Sequence, residues 1–315
     1  MSRFPTESAQ PSGHPAAPTG ALGWPRFFDR AMHRARARSP HFTLYLGAKE
    51  LLSWNMNQLE GIDAALSSAS ASGLRTSATS SSSSLVAPAP KAFENFEAWC
   101  AAHEGAQARI CVSGHLLHSL VADPALRLRD EAAVRDYASQ QFTHYHGTQA
   151  QRWPLAVWWR GANAGASAGA CALHSLDLPA LQAAAARHRV RLRSIAPAWS
   201  AGLTSLAMRR PSFAGPGLHA LALVEGTLLT WLVAEAGRIV ALQQRYLDAP
   251  RTDALADLLD RLSAEGSALA EPPLVVGWGL DDTGHASLPR ADVLGPLGDP
   301  LAAGAWMLDS MNAAA

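Results

Sequence analysis

The chain is most apolar from Leu218 to Ala236, and what that run can become decides much about it. A helix that spans a bilayer needs about 20 mostly apolar residues without buried carboxylates. Glu225 and Glu235 stand inside the run, and Gly226 interrupts it. The run therefore reads as two buried strands, 218–224 and 228–234, folded about Glu225-Gly226-Thr227. No membrane span is expected.

A second hairpin lies upstream. Phe42, Leu44 and Leu46 alternate with Thr43 and Tyr45, and Gly47-Ala48-Lys49 turns the chain into Leu51-Leu52-Ser53-Trp54. Phe93, Phe96 and Trp99 recur at helical spacing before Glu104-Gly105, and residues 109–112 read as a strand. Residues 131–145 predict a helix stopped by Gly147. Strands at 155–159 and 170–174 are joined by the small-residue run 161–169. Helices follow at 179–188 and 197–208, with a strand at 190–195 between them. A strand at 238–246, an amphipathic helix at 253–262 with Leu255, Leu258, Leu259 and Leu262, and a buried strand at 274–277 complete the pattern. Helices alternating with strands, with antiparallel hairpins inserted, give an α/β architecture.

Residues 1–25, rich in Pro, Ser, Thr, Gly and Ala, bury too little apolar area to offset ordering entropy and are expected to be a disordered tail. Residues 26–38 carry Arg26, Arg30, Arg34, Arg36 and Arg38, with Phe27, Phe28 and Met32 interleaved. They read either as a short solvated helix or as a basic amphipathic element resting on an acidic membrane surface or partner. Residues 67–90, with serines at every position from 80 to 84, are a low-complexity insert and read as a flexible loop.

The 315 residues carry 26 Lys+Arg against 26 Asp+Glu. A net charge of zero argues against a nucleic-acid binder held by bulk charge. Cys100, Cys111 and Cys171 are odd in number and form no CxxC, which speaks for a reducing cytosol. Residues 1–20 lack the apolar core of a signal peptide, so none is expected.

Few residues suggest chemistry. Gly165-Ala166-Ser167-Ala168-Gly169 spells a nucleophile elbow, but that motif needs a strand-to-helix turn, and here it lies between two strands and reads as a loop. His115 and His118, and His144 and His146 about Tyr145, are spaced to share a metal but lack further ligands, so they read as structural or surface residues. Asp281-Asp282 with His285 forms a turn too poor in oxygens for a calcium loop. Neither a P-loop nor a dinucleotide fingerprint is present. Trp153, Trp158, Trp159, Trp199, Trp231 and Trp278 fall on strands or at helix starts and read as core.

Taken together, the order of hairpins, helices and strands resembles the actin-like fold, and within it the actin-like cytoplasmic components of type IV pilus and type II secretion inner-membrane platforms. The motifs that carry the resemblance are Tyr45-Leu46-Gly47, where that family has its first phosphate loop, and Val224-Glu225-Gly226 followed by Thr230 for the second. Residues 191–197 resemble the passage into the second lobe, and Val275-Val276-Gly277-Trp278-Gly279 the glycine-rich turn that faces the nucleotide. The resemblance implies two RNase-H-like lobes, 41–196 and 197–315, behind a tail of 1–40. It implies a degenerate nucleotide cleft at Gly47, Gly226, Thr230, Gly277 and Gly279. Active members hold hydrated Mg²⁺ with aspartates where this chain has Tyr45 and Val224; Glu225 lies one residue off, on the opposite side of its strand. The expectation is a non-catalytic cytoplasmic scaffold of a pilus or secretion apparatus. It would dock on a protein partner at the inner-membrane platform, touch the membrane peripherally through residues 26–38, and use no metal or cofactor. The alternatives are an ATPase holding ATP in an altered site, or a hydrolase using Ser167 with a histidine.

Overall fold

The computed structural model describes residues 40–48, 50–55, 91–160, 167–266, 268–281, 288–298 and 300. The tail and arginine segment before residue 40, the insert at 67–90, Gly165, Ala166, Asp282 and His285 lie outside the described residues.

The first hairpin forms as its alternation predicts. β1 (His41–Leu46) pairs antiparallel with β2 (Leu51–Asn55) and parallel with β3 (Gln107–Val112), which pairs parallel with β7 (Arg191–Pro197). Thr43 and Tyr45 are as buried as the apolar residues they alternate with, because the sheet is covered on both sides. α1 (Lys91–Ala102) and α3 (Leu178–Arg187) pack on each other and reach β2 and β7. α4 (Ala198–Arg209) lies between this sheet and the next, touching β3, β7 and β8 (Leu218–Glu225). Gly202 lets it come close, since a Cβ there would meet Leu221 Cδ2 at 3.0 Å.

The second hairpin repeats the plan with one strand more. β8 pairs antiparallel with β9 (Leu228–Glu235), and β9 with β10 (Arg238–Tyr246). On its other side β8 runs parallel to β11 (Leu274–Trp278), and β11 to β12 (Asp292–Val293). α5 (Thr252–Glu265) buries the predicted leucine stripe, Leu255, Leu258, Leu259 and Leu262, against Ala222, Val224 and Leu229. In both sheets the strand that opens the hairpin is flanked by parallel strands on its far side, and both hairpin corners lie at the same end of the parallel strands.

A third sheet, in the order β4-β6-β5, is inserted in sequence between β3 and β7 of the first: β4 (Leu117–Val121), β5 (Leu155–Arg160) and β6 (Ser167–Leu173). β5 and β6 are the predicted hairpin; β4 was not predicted, because Leu-His-Ser-Leu-Val has little alternation and forms a strand only by pairing with β6. α2 (Glu131–His146) covers one face. The Asp130 carboxylate accepts from Ala133 N–H at 2.8 Å to start it, and Gly147, at φ 78°, stops it as expected. The other face meets the main core, where Trp158 stands edge-on to Trp199 with ring centres 5.8 Å apart. The loop read at 165–169 is shorter than predicted, since Ser167, Ala168 and Gly169 belong to β6. Gly169 has no room for a side chain: a Cβ would lie 2.1 Å from Trp158 Cζ2.

Cys100, Cys111 and Cys171 are all free and buried, and burial pushes the Cys111 and Cys171 thiols up to about 12. Among the described residues no helix is long and apolar enough to cross a membrane.

Candidate functional site

Tyr45 and Glu225, 180 residues apart, meet where the two hairpins face each other. Strand alternation sends Val224 into the core under α5 and Glu225 to the opposite side, as its position predicts. There the Tyr45 hydroxyl donates to Glu225 Oε1 at 2.7 Å. Gly114 N–H, in the 3-10 turn after β3, donates to Oε2 at 3.0 Å. The residues around the carboxylate are clamped in turn. Gln244 Nε2 on β10 donates to the Gly114 carbonyl at 3.0 Å, and His115 Nε2 donates to the Glu225 carbonyl at 3.0 Å. Trp278 closes the side, edge-on to the Tyr45 ring at 4.5 Å.

Glu225 is 3% exposed and Tyr45 1%, so this is a buried contact between the two sheets. Burial raises the Glu225 carboxyl above its ordinary value, against the opposing pull of its bonds from Tyr45, Ser113 and Gly114. Burial, then the Glu225 charge, pushes the Tyr45 phenol well above its own. Gly114 fits only because it has no side chain: a Cβ would come within 2.9 Å of Gln244 Nε2, Glu225 Oε2 and Leu228 Cδ2.

The glycines expected at the cleft fall around this contact, each with its own duty. Gly226, at φ 64°, forms the corner of the second hairpin, and its N–H donates to the Trp278 carbonyl at 2.9 Å. Gly279 lies against it, since a Cβ there would meet Gly226 Cα at 2.8 Å. Gly277, at φ 137°, lets β11 approach β8 so closely that a Cβ would lie 2.0 Å from the Val224 carbonyl oxygen. Gly47, at the first corner, sits beside Tyr45 and gives its N–H to the Glu50 carbonyl at 2.9 Å. Thr230 is not at the corner. It is buried inside β9, opposite Leu223 and Gln244, with a hydroxyl that has no partner among the described residues.

A triphosphate with its metal asks for free backbone N–H donors and for carboxylates in contact with hydrated Mg²⁺. At these corners the Gly47 and Gly226 N–H groups are engaged by carbonyls, and the Glu225 carboxylate fills the space between the hairpins. These residues do not fit that group. The Ser167 hydroxyl is also committed: it is buried at the start of β6 and donates to the Ile239 carbonyl at 2.9 Å.

Three histidines form a second cluster. His118 on β4 stacks between His146, at the end of α2, and His174, just after β6, with ring centres 4.0 and 4.1 Å away. Trp153 lies within 5.7 Å of all three. The sequence spacing pairs His118 with His115, but His115 instead serves the Glu225 carbonyl. Among the described residues no three His, Cys, Asp or Glu side chains are grouped as a metal would require. Burial, then the charges of His174 and His146, lowers His118 to about 4, and burial lowers His174 as well. An unfolded chain takes up these protons near pH 6.5 while the folded one resists, so stability is full above pH 6.5 and falls as pH drops toward 4. The apparent Tm of the wild-type chain should decline across that window. It should decline less steeply in His118→Phe, which keeps the stacked ring and loses the titration; parallel curves would refute this.

Two sheets of one plan, joined hairpin corner to hairpin corner, can be set against solved structures. The chain matches one described as the PilM-PilN type IV pilus biogenesis complex at 11% identity and a TM-score of 0.53, over 89% of this chain and 100% of that one. It is also similar to a Bacteroides thetaiotaomicron protein described as having an actin-like ATPase fold and unknown function, at 11% identity and a TM-score of 0.49, covering 88% and 95% of the two chains. The chain has the actin-like fold. A third match, to the cytoplasmic domain of EpsL, an inner-membrane component of the type II secretion system of Vibrio cholerae, has 14% identity and a TM-score of 0.44 over 88% and 96% of the chains. At 11% identity the likeness reaches the fold and no further. No protein-family model and no curated protein matches the sequence.

Glu225 is the site residue whose role the sequence conceals. Its signal is a lone carboxylate at the end of a largely apolar buried strand, next to the turn glycine. Such a group has to find partners or remain neutral.

Proposed function

We propose that this actin-like chain is a non-catalytic scaffold in the cytoplasm that docks on a protein partner in a pilus or secretion apparatus at the inner membrane. One observation carries the reading: the place between the hairpin corners is taken by the protein's own Glu225 carboxylate, bonded to Tyr45 and Gly114. With metal-holding acids absent from positions 45 and 224, the two lobes, 41–196 and 197–315, need no nucleotide to hold them together. The partner class follows from the likeness to the PilM-PilN complex, in which a chain of this fold is found with a second pilus protein.

Calorimetric titration of the full chain with Mg·ATP is expected to show no saturable heat up to millimolar nucleotide. Affinity capture from the native host is expected to recover a pilus or secretion component. Tight, Mg²⁺-dependent ATP binding that is lost in Gly226→Ala would favour the ATPase reading instead, and capture without any such component would remove the partner class.

A further inference from the structure

The end of the first sheet away from the hairpin corners has an unbalanced charge. His41, Gln107 and Arg191 stand side by side at the start of β1, β3 and β7. Arg109 follows two residues along β3, and the register shift between β3 and β7 brings Arg193 to the same end, where its Nε donates to Gln107 Oε1 at 2.5 Å. His41, Arg191 and Arg193 are exposed. Burial and then the charges of Arg193 and Arg109 hold His41 below its ordinary value.

Just upstream of β7 the chain balances its arginines. Arg187 pairs with Glu97, and Arg189 with Glu104 at 2.6 Å. The next two are left over: among the described residues Arg191 has no carboxylate partner, and Arg193 has only the neutral Gln107. In a chain with net charge zero this is a local surplus. β7 is also the edge strand of its sheet.

We infer that this end of the first sheet, through Arg191 and Arg193 with Arg109 and His41 behind them, is a docking surface for an acidic lipid membrane. Lipid is favoured over an acidic protein by what adjoins the patch in sequence. Pro40, whose carbonyl accepts from Gln107 N–H, leads directly to residues 26–38, five arginines interleaved with Phe27, Phe28 and Met32. Cations attract anionic headgroups without demanding a fixed shape, and interleaved aromatics suit the headgroup boundary. His41 stands at this end of the sheet, opposite the Tyr45–Glu225 contact, and residues 26–38 precede it in sequence. The surface extends the peripheral contact read from residues 26–38 and does not depend on the scaffold role.

The test is co-sedimentation of the full chain with phosphatidylcholine vesicles, with and without 30% phosphatidylglycerol. Binding is expected to be at least tenfold stronger with the acidic lipid and to weaken with salt. The double variant R191E/R193E should lose at least fivefold, R191Q/R193Q should lose less, and the charge-matched R245E/R290E, elsewhere on the surface, should lose less than twofold. Circular dichroism at each variant's working temperature confirms that it is folded. Equal losses in the two charge-reversed variants, or no preference for acidic lipid, would overturn the inference. So would loss confined to R34Q/R36Q/R38Q, which would leave the contact with the upstream segment alone. Binding to polyglutamate without binding to vesicles would assign the surface to an acidic protein instead.

Discussion

Glu225→Ala is expected to destabilise the chain by about 3 kcal/mol, because it strands several buried polar groups at once. The Tyr45 hydroxyl, itself 1% exposed, loses its acceptor, and Gly114 N–H loses the carboxylate that satisfied it. The void left between the two sheets adds to the loss. For a protein of this size the apparent Tm should fall by about 4–6 °C. Glu225→Gln keeps the shape and one acceptor, so it should cost less. Glu235→Ala is the control: this second carboxylate of the same hairpin is half-exposed and should cost less than about 0.5 kcal/mol. Because the contact joins the two sheets, small-angle scattering of Glu225→Ala under native conditions should also show a larger radius of gyration. Thermal melting that fails to separate Glu225→Ala from Glu235→Ala would mean that the contact contributes nothing to holding the sheets together.

The second large effect is expected from Gly277→Ala. The new methyl group would lie 2.0 Å from the Val224 carbonyl oxygen and 2.7 Å from its carbonyl carbon and nitrogen. Those are backbone atoms of a central, paired strand, so relief requires β8 and β11 to separate. The φ of 137° adds strain of about 1–3 kcal/mol for any residue with a side chain. The total should exceed about 4 kcal/mol, and the variant should accumulate as insoluble protein. Gly226→Ala makes a sharp comparison. Its φ of 64° lies in the left-handed region and nothing stands within 4 Å of a Cβ there, so it should cost only about 1 kcal/mol. Expression and denaturant unfolding of the pair measure the difference. Equal stability in the two variants would show that the close approach of β8 and β11 is not what requires glycine at 277.

That comparison also shows why the site was only partly legible. Gly226 and Gly277 each follow a run of apolar residues. The hairpin pattern marks Gly226 as a turn residue, but only the neighbouring strand shows that Gly277 is a contact residue, held against Val224. The hairpins, the α5 leucine stripe and the Gly147 stop are local, set by periodicity and by backbone freedom, and each formed close to its expected bounds. β4 was missed because its pairing with β6 reaches across about fifty residues. The histidine stack was missed for a related reason. Its members come from β4, α2 and the end of β6, and the spacing of His115 and His118 suggested a different pairing.

By itself the sequence determined that this chain folds into two glycine-cornered hairpins within an α/β frame, and its resemblance set Tyr45 and Val224 where the family carries aspartates. Only the tertiary structure decided that Tyr45 and Glu225 join, that the corner N–H groups are spent on carbonyls, and that arginines from separate strands gather at the opposite end. The reason is physical. Strand and turn formation depend on residues a few positions apart, whereas a buried carboxylate takes whatever donors the packing of distant elements brings to it.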